Sequence, residues 1–161
     1  MRKIGIVITS LLGGGGLFFL WFYFTGHVAV VGGSFIKEYR YAGNVNELIM
    51  RIKEYTDSSS FIKFTLTDTT GNSKNGLAYF IDLELKKKDK DILFTIKCND
   101  ERNQNSSAPR TDIKLVFAFD KLHTIGGYNR NATGIKPLIN RFDLDFLTPF
   151  KNDQHLTITA F

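Results

Sequence analysis

The pair Asp143-Leu-Asp145, in the stretch RFDLDFL, is the arrangement in this chain closest to a chemical site. In an extended strand both carboxylates would share one face, where they could hold a divalent cation or divide the acid and base roles of a hydrolysis. With His155 farther along, Asp143 and Asp145 would make a small hydrolase site. The same alternation is also what the wet face of an ordinary strand looks like. Asp82 and Glu84, followed by Lys86, repeat the pattern and carry the same two readings.

The remaining reactive residue types are scattered. The histidines His27, His123 and His155 have no histidine at helical spacing, and a zinc site needs about four ligands, usually in closely spaced pairs. The lone Cys98 falls in ILFTIKC in phase with Ile92, Phe94 and Ile96, which predicts a small buried hydrophobe rather than a nucleophile. Neither GGGG at 13–16 nor GGYNRNATG at 126–134 has the lysine or spacing of a phosphate-binding loop. No cofactor, metal or catalytic residue is therefore assigned. Two surface candidates for partner binding stand out instead: the cluster Lys86, Lys87, Lys88 and Lys90, and Tyr128, Asn129 and Arg130 in the glycine- and asparagine-rich stretch. The lysines could meet an acidic partner or anionic lipid, or simply solubilise a turn. Asn105 and Asn131 head glycosylation triplets, which matter only in a eukaryotic secretory host.

Location is better marked than chemistry. Arg2 and Lys3 precede thirty-three residues, Ile4 to Ile36, without a Lys, Arg, Asp or Glu. The bulkiest part, Ile4 to Phe24, would form a helix of about 31 Å, matching a hydrocarbon core of about 30 Å. Trp21 and Tyr23 stand at its far end, where amphipathic aromatics favour the interface, and the leading basic pair places the N-terminus inside. The expected organisation is a cytoplasmic N-terminus at 1–3, a transmembrane signal-anchor at 4–26 and a juxtamembrane linker at 27–33. An extracytoplasmic domain, periplasmic or extracellular, then occupies 34–161. A signal peptide cleaved after Val31-Gly32-Gly33 is the runner-up. Gly5, Thr9 and Gly13, with Ser10 and Gly14 beside them, form a stripe of small residues that would let a membrane partner or a second copy approach closely.

The outer segment must supply the scaffold. NVNELIMRIKEYTDSSS repeats Val45, Leu48, Ile49, Ile52 and Tyr55 at helical spacing, with Asn44 as cap and Glu47 placed for a capping box. SFIKEYRY alternates, with Phe35, Lys37, Tyr39 and Tyr41 on one face. Alternating runs then recur at 61–67, 77–85, 92–98 and 113–119, and HLTITAF at 155–161 reads as a fifth strand. Residues 126–134 read as an exposed loop, and PLINRFDLDFL as either a short helix or a strand. The fold class expected is α+β: one N-terminal transmembrane helix, then a two-layer domain with one amphipathic helix on a mostly antiparallel sheet of about five strands. Its order of strand, helix and several strands resembles the cystatin-like and nuclear-transport-factor-like topologies, a likeness that no motif supports.

Composition narrows the function classes. The net charge is +5, of which Arg2 and Lys3 contribute two, too mild and dispersed for a dedicated nucleic-acid binder. One cysteine permits no internal disulfide, so fifteen phenylalanines and six tyrosines must supply much of the core. The expectation is a membrane-anchored, non-catalytic protein-binding module, a subunit or accessory or assembly factor of a membrane complex. The alternatives are an envelope-localised inhibitor or immunity-type protein that binds an exported target, and the Asp143, Asp145 and His155 hydrolase. No small-molecule substrate is identified.

Overall fold

Among the described residues, seven strands and two helical stretches follow one another. They are β1 (Lys37–Tyr41), α1 (Val45–Ser58), β2 (Ile62–Asn72), β3 (Gly76–Lys87), β4 (Lys90–Asp100), β5 (Thr111–Asp120) and β6 (Ile125–Gly127). Helix α2 (Ile135–Arg141), a π-helical segment (Phe142–Leu147), α3 (Thr148–Asp153) and β7 (Ile158–Ala160) complete them. The computed structural model describes residues 35–72, 76–100 and 108–161. The expected anchor and linker lie outside these, with Gly5, Thr9, Ser10, Gly13, Gly14, Trp21, Tyr23 and His27, and so does Asn105. Among the described residues no helix is long and apolar enough to cross a membrane.

The sheet runs β2-β3-β4-β5-β1-β7, with β6 beside β1 on the same edge of β5, and every pairing is antiparallel. It has seven strands where about five were expected. One addition is β1, whose alternation was visible. The other is β6, hidden inside the stretch expected to be a loop. Gly126 makes it possible: its φ is +118°, and a Cβ there would lie 2.1 Å from the Ala118 carbonyl oxygen. Only glycine lets β6 lie this close to β5. The following turn is exposed as expected, and Gly134 (φ +75°) leads out of it into α2.

One face of the sheet carries the core. Ile81, Leu83 and Leu85 of β3, Ile92, Phe94, Ile96 and Cys98 of β4, and Ile113, Leu115 and Ala118 of β5 are all buried. In β5 the phase slips: Leu115 faces Ile96 and Phe117 faces Thr95, so Val116 is an extra, bulged residue. The bulge moves Phe117 and Phe119 to the opposite face, where strict alternation in IKLVFAF would have kept them inward.

Helix α1 covers the core face through Val45, Leu48, Ile52 and Thr56, while Ile49 and Tyr55 are partly buried against it. The Asn44 side chain accepts from Asn46 N at 2.7 Å, a true cap. The capping box does not form, because Glu47 accepts from Arg51 Nε at 3.0 Å. Asp100 Oδ1 accepts from Val45 N at 3.3 Å, which ties the helix start to the end of β4. PLINRFDLDFL is helical. The expectation of one helix is thus corrected: residues 135–153 form a second helical stretch, laid on the core by Phe142, Phe146 and Phe150, all buried. Spaced four apart, these rings follow one another at 5.3 and 5.5 Å between centroids. Such a row demands a helix, so tertiary packing decides what period alone left open.

Candidate functional site

The π-helical segment holds the two aspartates. Thr148 N donates to the carbonyl of Asp143, five residues back, which widens the turn. The carboxylates therefore do not share a strand face but reach separate strands. Asp143 accepts from Lys37 Nζ of β1 at 2.7 Å and from the Tyr39 hydroxyl at 2.6 Å. Asp145 accepts from Lys90 Nζ of β4 at 3.1 and 3.4 Å, with Arg141 Nη1 at 3.8 Å. Burial, together with the bond to Asp143, raises the Tyr39 hydroxyl well above the ordinary tyrosine range, so it stays a proton donor. Each carboxylate thus meets its own ammonium, and the arrangement fastens the second helical stretch across β1 and β4.

Both lysines lie in phase with inward residues: Lys37 with Tyr39 and Tyr41, and Lys90 with Ile92 and Phe94. A cation on an inward phase needs a carboxylate partner, and the D-x-D triplet was the available source. His155 is exposed in the turn after α3, with φ +51°, and no bond joins it to either aspartate. Among the described residues no group of three or more His, Cys, Asp and Glu is placed to hold a metal ion. Cys98 is fully buried, and burial pushes its thiol up to about 12.

The lysine cluster does sit at the β3–β4 turn, but its members differ. Lys88 is exposed, Lys86 lies 3.8 Å from Asp91, and Lys87 stands over the Phe61 ring at 4.0 Å. Lys90 is committed to Asp145. Asp82 accepts from the Thr95 hydroxyl at 2.6 Å, and Glu84 from Lys121 Nζ at 2.7 Å, both on the outer face of the sheet.

That outer face carries the aromatic cluster the sequence did not reveal. Tyr128 lies 4.4 Å from Phe117, ring to ring, and Phe117 stacks on Phe119 at 6.0 Å. Tyr128 is 47% exposed. Arg130 holds the turn in place by donating from Nε to Ile36 O at 3.0 Å, and Asn129 accepts from Asn131 N at 2.8 Å. Of the predicted trio, only Tyr128 offers its side chain as open apolar surface. Along the same face, Lys97 stands 5.4 Å from the Phe80 ring and Lys114 5.1 Å from the Phe35 ring. The face is aromatic and charged, and the extra residue Val116 is what adds Phe117 and Phe119 to it.

Open clefts lie among the described residues. One, of about 480 Å³, lies at the end of α1 and the start of β2, between Thr56, Ser59, Lys63 and Glu84. Another, of about 270 Å³, gathers Arg40, Arg110, Thr157 and Thr159, and its Arg40 also reaches Asp112 at 3.4 Å. Compared with family models, curated proteins and solved structures, the chain matches none.

Proposed function

We propose that the chain is a membrane-anchored, non-catalytic protein-binding module that serves as a subunit or accessory factor of a membrane complex. The observation that carries this reading is the uncharged run Ile4 to Ile36 behind Arg2 and Lys3, with Trp21 and Tyr23 at the end of its bulkiest part. Support also comes from the use already made of the acidic pair. Asp143 and Asp145 each neutralise a lysine that would otherwise stand partly desolvated, a role in the fold that leaves neither carboxylate free. The stripe Gly5, Thr9 and Gly13, with Ser10 and Gly14, is the face offered to a partner inside the bilayer.

Purification of the intact chain in detergent, beside Gly13→Leu and Gly14→Leu variants, tests the reading. Membrane proteins that accompany the parent should be lost from the variants. An unchanged set of companions sinks the subunit role.

The inhibitor or immunity-type alternative draws on a separate observation, the outward cluster of Phe117, Phe119 and Tyr128. Half-exposed aromatics are the residues that dominate protein interfaces. Under this alternative, binding of an exported target survives Gly13→Leu and is lost in Tyr128→Ala.

A further inference from the structure

The two edges of the sheet are unequal. At one end β7 has three residues, whereas at the other β2 has eleven, and Thr65 to Thr70 are all exposed. Long open edges are normally blunted, because their main-chain groups invite another strand. Here the phase of those groups is fixed. Lys86 N donates to Phe61 O at 2.8 Å, so the main chains of Phe61, Lys63 and Thr65 face β3. Those of Ile62, Phe64 and Leu66 face outward, where Ile62 N donates to Ser59 Oγ at 3.2 Å, and no described strand lies on that side of Phe64 and Leu66. Leu66 is 46% exposed.

A bulge gives this edge a self-complementary pattern. Leu66 pairs with Ile81 and Asp68 with Phe80, so Thr67 is an extra residue. Lys63 lies opposite Glu84 and shares its outer face. Without the bulge, Asp68 would point to the other face from Lys63; with it, both point outward. Among the described residues neither side chain belongs to an ion pair.

We infer that β2 pairs antiparallel with β2 of a second copy of this chain, about a two-fold axis at Thr65. Phe64 then exchanges main-chain hydrogen bonds with Leu66 of the other copy, and their side chains meet on the core face. Thr65 faces its own equivalent in a non-hydrogen-bonded pair. Lys63 meets Asp68 of the other copy twice, once on each side of the axis. The inference uses only Ile62 to Asp68 and stands apart from any role of the N-terminal run.

The test uses the full-length chain in mild detergent, with its mass measured by sedimentation. Under a mild oxidant, Thr65→Cys should crosslink as a dimer, since facing Cα atoms of such a pair lie about 4.5 Å apart, within disulfide reach. Thr70→Cys, off the axis, should not. Lys63→Asp should weaken the dimer about tenfold by replacing two attractions with two repulsions. The swap Lys63→Asp with Asp68→Lys should restore it. A chain that remains monomeric at tens of micromolar overturns the inference, and so does failure of the swap to restore pairing. A dimer lost in Gly13→Leu but indifferent to Lys63→Asp also overturns it, by moving the contact to the N-terminal stripe.

Discussion

Asp145→Asn withdraws one charge from a pair that water scarcely reaches. Lys90 and Asp145 are 16% and 15% exposed at their side chains and meet at 3.1 Å. Breaking a fully buried pair costs about 3–5 kcal/mol, whereas an exposed pair is worth about 0.2–1 kcal/mol. The residual access to water, and an asparagine oxygen that can still accept from Lys90, place the loss between these limits, at about 2 kcal/mol. For a domain of this size that lowers the melting temperature by about 6 °C. Thermal unfolding of the full chain, followed by near-ultraviolet circular dichroism, reads this directly, because Phe142, Phe146 and Tyr55 lie in the core that the pair secures. Lys90→Met should cost a similar amount. The double variant should cost clearly less than the sum, with a coupling of at least about 1 kcal/mol. Should Asp145→Asn leave the melting temperature unmoved while abolishing a metal-dependent turnover, the structural account of the pair is refuted and the hydrolase reading returns.

Other expectations follow from the same geometry. Cys98 should react with a thiol reagent only as fast as the whole domain opens, and fast labelling of the native chain would contradict its place in the core. Gly126→Ala forces a Cβ against the Ala118 carbonyl at positive φ and should cost about 1–3 kcal/mol in urea unfolding, where a neutral result would mean β6 is not held as described. The Lys121 ammonium bonded to Glu84 holds that carboxyl below the usual range, against an opposing push from burial. Its stabilisation is therefore present above the unfolded value of about 4.3 and lost as pH falls through the lower folded value. Urea midpoints of Glu84→Gln should accordingly lose part of the parent's acid-side decline, and parallel curves would refute the linkage. Phe119→Ser, on the outer face of the sheet, should leave the melting temperature within a few degrees yet reduce capture of the target that the inhibitor alternative proposes; unaltered capture would remove that face from consideration.

The sequence announced some of this fold plainly. Helix α1 was legible because Val45, Leu48 and Ile52 repeat at one period and Asn44 precedes them. The inward faces of β3 and β4 were legible because nothing interrupts their alternation. What stayed hidden depended on single residues that break a period. Val116 turns Phe117 and Phe119 outward, Thr67 brings Asp68 to the face of Lys63, and Gly126 admits a strand into an apparent loop. A bulge is set by the neighbouring strand's register, which no local pattern reports. The acidic triplet was found, but helix and strand stayed open there, and only the strand would have set its carboxylates side by side. Lys37 and Lys90, both on inward phases, were the signal that its carboxylates were already spoken for.

The place of β1 has a consequence for the order in which the domain assembles. This strand leaves the ribosome before every other described strand, yet its neighbours come much later in the chain: Lys37 lies against Leu115, and Tyr41 against Ile158. Until those residues are made, β1 has no ladder to join, and its inward Tyr39 has no Phe142 to rest on. The hairpins from β2 to β5 can form while synthesis continues, since their partners are local. Insertion of β1 must wait, and it closes the longest loop in the domain, against the largest entropy. In refolding, amide protection should therefore reach β3 and β4 first, and β1 last together with β7, whose described ladder partner is β1. The first described strand and the last would lock together, as the final piece.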